Sequence, residues 1–279
     1  MKIALILLNL IVLSACVPAK LETEITSGNI NKDAPFEWSG SSFPRHLQIS
    51  EQFTKDESDD IEAMGAAWET ALESRKNFFE HGESRAVEVS SPNLNLDNLG
   101  KDGVNGIYKI LHWPSSLPAT ALAVTQIFGR RYNIGSPDEY VRIEHADILL
   151  NADLYLYRTD DLQDTDKYDL KTVMLHEMGH FLGLGHKYGD TVMVPTIGTK
   201  TNKRSPTHID IGDLSSKYGI TLLSNMNSNL ALGGKKKTYA PKAGDEGLEV
   251  KVLIELMADG ECVHKENGAT IGRHPANIK

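Results

Sequence analysis

His176-Glu177-Met178-Gly179-His180-Phe181-Leu182-Gly183-Leu184-Gly185-His186 carries three imidazoles and a carboxylate at spacings that suit one metal ion. The run lies inside a longer pattern from Tyr168 to Leu184, where Leu170, Val173, Met174, Met178, Phe181 and Leu182 form an apolar stripe and Asp169 is placed as the N-cap. A helix is predicted there. On a helix His176 and His180 are one turn apart, so their rings leave the same face and can converge on an ion. Glu177 lies beside that face, within reach of a water at the metal without being a ligand, which is the position a general base needs. Were the helix to continue, His186 would be carried to the wrong side. The helix must therefore stop. Gly183 can adopt the left-handed conformation that ends it and brings His186 back, and Gly185 adds freedom. Three neutral imidazoles leave a tetrahedral zinc ion one open position, the arrangement of catalytic rather than structural zinc, where water has its pKa lowered to about 7.

Composition agrees with an enzyme-sized globular chain. Its 279 residues, 40% hydrophobic and 24% charged, are enough for a sizeable core and leave no room for disorder over most of the length. A mean hydropathy of -0.31 excludes a polytopic membrane protein. With 29 basic against 38 acidic residues the net charge is -9, so nothing draws the chain to a phosphate backbone, and no nucleic acid partner is expected. Cys16 and Cys262 are the two cysteines, too few for a disulfide framework or a thiolate zinc site, so a metal is expected to be held by nitrogen and oxygen. A bare His-Glu-x-x-His arises by chance in roughly a few per cent of chains of this composition; requiring Gly183 and His186 as well lowers that to about one in ten thousand.

Working outward, Lys2 precedes an apolar run, Ile3 to Ala15, that is too short to span a bilayer and reads as an export signal. Its end, Leu13-Ser14-Ala15-Cys16, resembles the lipobox of bacterial lipoproteins, which implies cleavage at 15 and a lipidated Cys16 as membrane anchor. Val17 after it points to an outer-membrane location in the cell envelope. The alternative is an ordinary signal peptide with Cys16 a plain thiol. Residues 16–40 read as a tether. A helix is predicted from Ser58 to Phe79, strands over Gly103–Trp113 and Val141–Tyr157, a strand or short helix over Ala119–Phe128, and a closing helix ending at Lys217-Tyr218-Gly219. The class is α+β, with a domain over 41–221. Residues 222–279 form a linker, including Lys235-Lys236-Lys237, and a β extension: Leu248, Val250, Val252, Ile254 and Leu256 alternate, and Asp259-Gly260 is a hairpin turn.

The extended histidine pattern, followed by Thr191-Val192-Met193-Val194-Pro195, resembles the metzincin zinc metalloproteases, and within them the matrixin branch. The resemblance implies a twisted mixed sheet with an active-site helix and a closing helix, and one catalytic zinc on His176, His180 and His186. It implies Glu177 as general base, Met193 as the floor of the site, Gly183 at the turn and Asp210 as support of the methionine turn. Val173, Pro195, Thr196 and Ile197 match positions that line the pocket for the residue after the cut, for which an apolar side chain is expected. Pro195 stands where astacins and serralysins carry tyrosine. The chain departs from the matrixin pattern at Ile209, which replaces an aspartate, and in having no cysteine between Val17 and Glu261. Calcium and structural-zinc sites do not map; Asp138, His145, Asp147, Asp153 and the stretch Asp160 to Asp169 are unassigned donors. The implied function is a secreted, lipid-anchored zinc endopeptidase acting on polypeptides. Its rivals are a surface binding lipoprotein on an inactive scaffold and a cell-wall peptide hydrolase.

Overall fold

The computed structural model describes residues 30–39, 42–72, 77–81, 95–100, 102–161, 166–220 and 238–275. The export signal, Cys16, most of the tether and Lys235 to Lys237 lie outside them. Among the described residues no helix is long and apolar enough to cross a membrane.

The elements in chain order are β1 (Phe36–Trp38), β2 (Arg45–Ile49), α1 (Lys55–Ala71), β3 (Phe79–His81), α2 (Leu96–Leu99), β4 (Asn105–Ile110), β5 (Ala121–Tyr132), β6 (Tyr140–Asn151), β7 (Tyr157–Arg158), β8 (Tyr168–Asp169), α3 (Leu170–Phe181), α4 (His208–Tyr218), β9 (Leu248–Met257), β10 (Cys262–Glu266) and β11 (Ala269–His274). Among the described residues nine strands form one sheet in the order β11-β10-β9-β5-β6-β4-β2-β3, with β1 also pairing β6. β2, β3, β4 and β6 run parallel, and β5 runs antiparallel to β6. The second half of β6, Ala146 to Asn151, is buried residue after residue because both faces of the sheet are covered there. On one face Ile107, Ile127 and Ile148 share a core with Ile61, Met64 and Trp68 of α1 and Leu170, Val173 and Phe181 of α3. A second cluster, with Tyr108, Val124 and Leu149, fills the other face.

The mixed α+β architecture is the expected one, with two corrections. α1 starts on a capping box of Thr54 and Glu57 and stops at Ala71, well short of Phe79. Glu69 Oε1 accepts from the N–H groups of Phe78 and Phe79, turning the chain so that Phe78 enters the core and Phe79 begins an edge strand. The sheet also takes in residues that the sequence assigned to the tether. Phe36 to Trp38 pair with Val141 to Ile143 of β6, and Trp38 is 1% exposed. Too few apolar residues surround Trp38 to give a periodic signal, yet its indole N–H meets a buried carbonyl at the end of α3, which the local pattern does not reveal.

The C-terminal strands extend the sheet. β9 pairs antiparallel with β5 from Arg131↔Leu248 to Ala121↔Met257, and its buried residues Val250, Val252, Ile254 and Leu256 join the core shared with α3. Asp259-Gly260 lies at the following turn, where Gly260 has φ +77°.

Candidate active site

The site is built on α3. Its N-cap, Asp169, accepts from Thr172 N at 3.0 Å and Thr172 Oγ1 at 2.6 Å, so the helix starts where the sequence placed it. It ends at Phe181, and Gly183 follows with φ +84°. A Cβ on Gly183 would stand 2.3 Å from the Phe36 carbonyl oxygen, so both conformation and space require glycine here. Two carbonyls freed at the helix end find buried donors: Trp38 Nε1 donates to Phe181 O at 2.7 Å, and the Tyr218 hydroxyl donates to Leu182 O at 2.9 Å. Leu184 N returns to Gly179 O at 2.9 Å, and the chain turns back over α3.

That turn delivers His186 to the other two imidazoles. Its Nε2 lies 3.2 Å from His176 Nε2 and 3.0 Å from His180 Nε2. Each Nδ1 is held from behind: His176 against Val192 O at 2.8 Å, His180 against Leu184 O at 2.8 Å, and His186 against His264 Nε2 at 2.9 Å. A ring nitrogen facing a carbonyl is a donor, which leaves the Nε2 lone pairs of His176 and His180 free; with His186 Nε2 beside them, the three nitrogens form the donor set that zinc takes. Burial favours the neutral rings that a metal needs. It lowers His176 to about 4 and, together with the neighbouring imidazoles, puts His180 and His186 well below the ordinary value.

Glu177 is fully buried beside this set. Its Oε2 accepts from Thr125 Oγ1 of β5 at 2.5 Å, while Oε1 is buried with no hydrogen-bond partner among the described residues. Burial pushes its pKa up to about 8 against the Thr125 hydrogen bond, and the Glu255 carboxyl of β9 adds to the rise. A carboxyl so placed can hold or release a proton near neutrality.

Met193, which the resemblance makes the floor of the site, is 1% exposed. Gly179 lets it approach, because a Cβ there would stand 2.4 Å from Met193 Sδ. Asp210 holds the turn carrying Met193: its carboxylate accepts from Thr191 Oγ1, from Val192 N at 3.0 Å and from Thr207 N at 2.8 Å. Val173 and Ile197 lie in one buried cluster, and the backbone of 195–197 faces β9.

The unassigned donors of the sequence are engaged elsewhere. His145 Nε2 and Asp147 Oδ2 pair at 2.9 Å, Asp153 accepts from Trp113 N at 2.8 Å, and Asp161 and Asp169 bind Arg204. Among the described residues none of them joins a group of three close donors. Sequence reading missed a second cluster, His186 with Cys262 and His264. Cys262 Sγ is 3.6 Å from His186 Nδ1, and the His274 ring lies 4.7 Å from that of His264, centre to centre. A thiol and two imidazoles in two strands far from the motif carry no spacing signal that would join them to it.

The family model described as Matrixin matches residues 36–219. The chain is 36% identical over 74 residues to Metalloendoproteinase 1 of Glycine max, covering 25% of this chain and 24% of that protein. It is 33% identical over 81 residues to Metalloendoproteinase 4-MMP of Arabidopsis thaliana, covering 29% and 24%, and 41% identical over 59 residues to Metalloendoproteinase 2-MMP of the same plant, covering 21% and 16%. The matched stretches thus span at most about a quarter of these curated relatives.

Proposed function

The chain belongs to the matrixin family, and from that premise we propose that it is an exported, lipid-anchored zinc endopeptidase of the cell envelope. The observation that supports this best is the convergence of three Nε2 atoms whose Nδ1 atoms are all held from behind. His176, His180 and His186 would hold the ion, which when bound supplies Lewis-acid polarisation of a carbonyl and activation of water. Glu177 accepts the proton of the attacking water at Oε1, the carboxylate oxygen that has no partner among the described residues, while Thr125 keeps the group aimed through Oε2. The same carboxyl then returns the proton to the leaving amine. Met193 and Asp210 keep the floor beneath the rings. Val173 and residues 195–197 would receive the apolar side chain that follows the cut.

Incubation of the zinc-loaded full chain with an unfolded protein tests the reading. Cleavage should cease on removal of metal by a chelator and return with added zinc. Stoichiometric zinc with no cleavage of unfolded protein or purified cell wall, also after Met257→Pro has removed the hydrogen bond from β9 to Pro195, would instead favour a binding scaffold.

The anchor rests on the short apolar run and Leu13-Ser14-Ala15-Cys16. More than one acyl chain on Cys16 would hold the protein stably to membranes. Cys16→Ala is therefore expected to release the protein from the membrane fraction or leave it unprocessed. A fully soluble wild type with an unmodified Cys16 thiol would remove the anchor.

A further inference from the structure

β5 is the antiparallel strand that would form the free edge of the sheet in the family-matched part of the chain, and its Thr125 holds Glu177. That edge is taken by β9, which comes from outside the matched residues. At its C-terminal end β9 is gripped from the opposite side as well. Met257 N donates to Pro195 O at 3.0 Å, Ile197 N donates to Met257 O at 3.1 Å, and Thr196 and Met257 form a parallel bridge. An extended segment thus runs antiparallel to one wall and parallel to the other, bonded through its main chain to both. This is how a peptide adds to an open sheet edge.

Side-chain placement points the same way. Ile254 and Leu256 lie opposite Thr125 and Ala123 on the face turned to α3, and Leu256 is fully buried in the cluster that holds Val173 and Ile197. Beyond the turn, His264 meets His186. Glu177 and His180 are left with no exposure at all, so a polypeptide cannot reach them while β9 is seated.

We propose that the Leu253 to Met257 segment occupies the substrate groove as an internal substrate mimic, with Leu256 in the pocket for the residue after the cut, and that the C-terminal strands make the chain latent until they are displaced. The proposal rests on the peptidase reading of the site and adds its regulation. The covering segment comes from the C-terminal side of the catalytic residues, beyond the stretch that matches the family. Because binding of substrate draws on the fraction of molecules with the groove open, apparent affinity and rate both fall by that fraction.

The test uses the zinc-loaded full chain. Met257→Pro removes the N–H given to Pro195, and Arg130→Cys with Glu249→Cys bridges a directly opposed pair of β5 and β9, whose Cα separation in an antiparallel ladder suits a disulfide. Two quantities are read: binding of a labelled peptide with the sequence of residues 251–259, in a Glu177→Ala background so that it survives, and cleavage of an unfolded protein. Met257→Pro should bind the peptide and cleave the protein at least tenfold better than wild type at equal zinc content. The oxidised disulfide form should do neither, and reduction should restore the wild-type level. Should Met257→Pro fail to fold, the oxidised and reduced disulfide forms decide alone. Equal binding by wild type and Met257→Pro, or no change on closing the disulfide, overturns the proposal. Peptide binding that responds as expected while no form cleaves anything supports the occupied groove and removes the peptidase reading.

Discussion

Glu177→Ala is expected to lower the rate of peptide cleavage by about 10² to 10⁴ while leaving zinc content and fold unchanged, since a positioned general base contributes that much and the side chain is not a ligand. Occupation of the groove by β9 affects both proteins alike and cancels in the ratio. The fold should tolerate the change because the buried Oε1 leaves no partner behind among the described residues, and Thr125 Oγ1 keeps Glu177 O as a second acceptor at 3.2 Å. Glu177→Gln makes the sharper comparison: it preserves volume and the Thr125 contact but cannot take the proton. Metal stoichiometry and turnover on one preparation check the claim, and cleavage by Glu177→Ala at the wild-type rate would sink the assignment. Loss of zinc in the variant would show instead that the carboxylate holds the metal.

What the sequence made legible was local. A ligand set carried by one helix and the turn after it is written in consecutive residues, because helical period fixes which side chains share a face and Gly183 announces the reversal. The same holds for Asp169 at the N-cap and for the alternation along β9. What remained hidden depends on contacts between distant segments. Trp38 satisfies a carbonyl of Phe181, Gly179 is small because Met193 comes from beyond His186, and the His186 ring is backed by His264. No periodicity encodes such pairs. The alternation of Leu248 to Leu256 signalled a strand with one buried face, and the surface it is buried against is the groove beside the active-site helix. A strand pattern fixes which side chains point together, but not which edge will accept it.

Asp169→Ala is expected to cost about 3–5 kcal/mol of stability, the range for removing one member of a buried charge pair. Asp169 is 1% exposed, and its carboxylate meets Arg204 at 2.6 Å and Arg158 at 3.3 Å in addition to capping α3. Arg158 is itself 3% exposed, and among the described residues its Nε and Nη2 have no hydrogen-bond partner, so losing Asp169 leaves that charge with the Asp160 carbonyl at 2.8 Å. Loss of the cap alone accounts for about 1 kcal/mol, so a larger loss identifies the stranded guanidinium as the cause. Burial pushes the Asp169 carboxyl up, but Arg204 and Thr172 together outweigh it and hold the pKa below the ordinary value. A lowered folded-state pKa means that this stabilisation is complete above the unfolded-state value of about 4 and disappears as the pH falls through the lowered one. Urea unfolding at neutral pH and at progressively lower pH should therefore show the gap between wild type and Asp169→Ala narrowing with acid. A gap under about 1 kcal/mol at neutral pH would mean that water or another group relieves Arg158. If the gap is as large as expected, a single carboxylate both starts the active-site helix and keeps two arginines paired beside it.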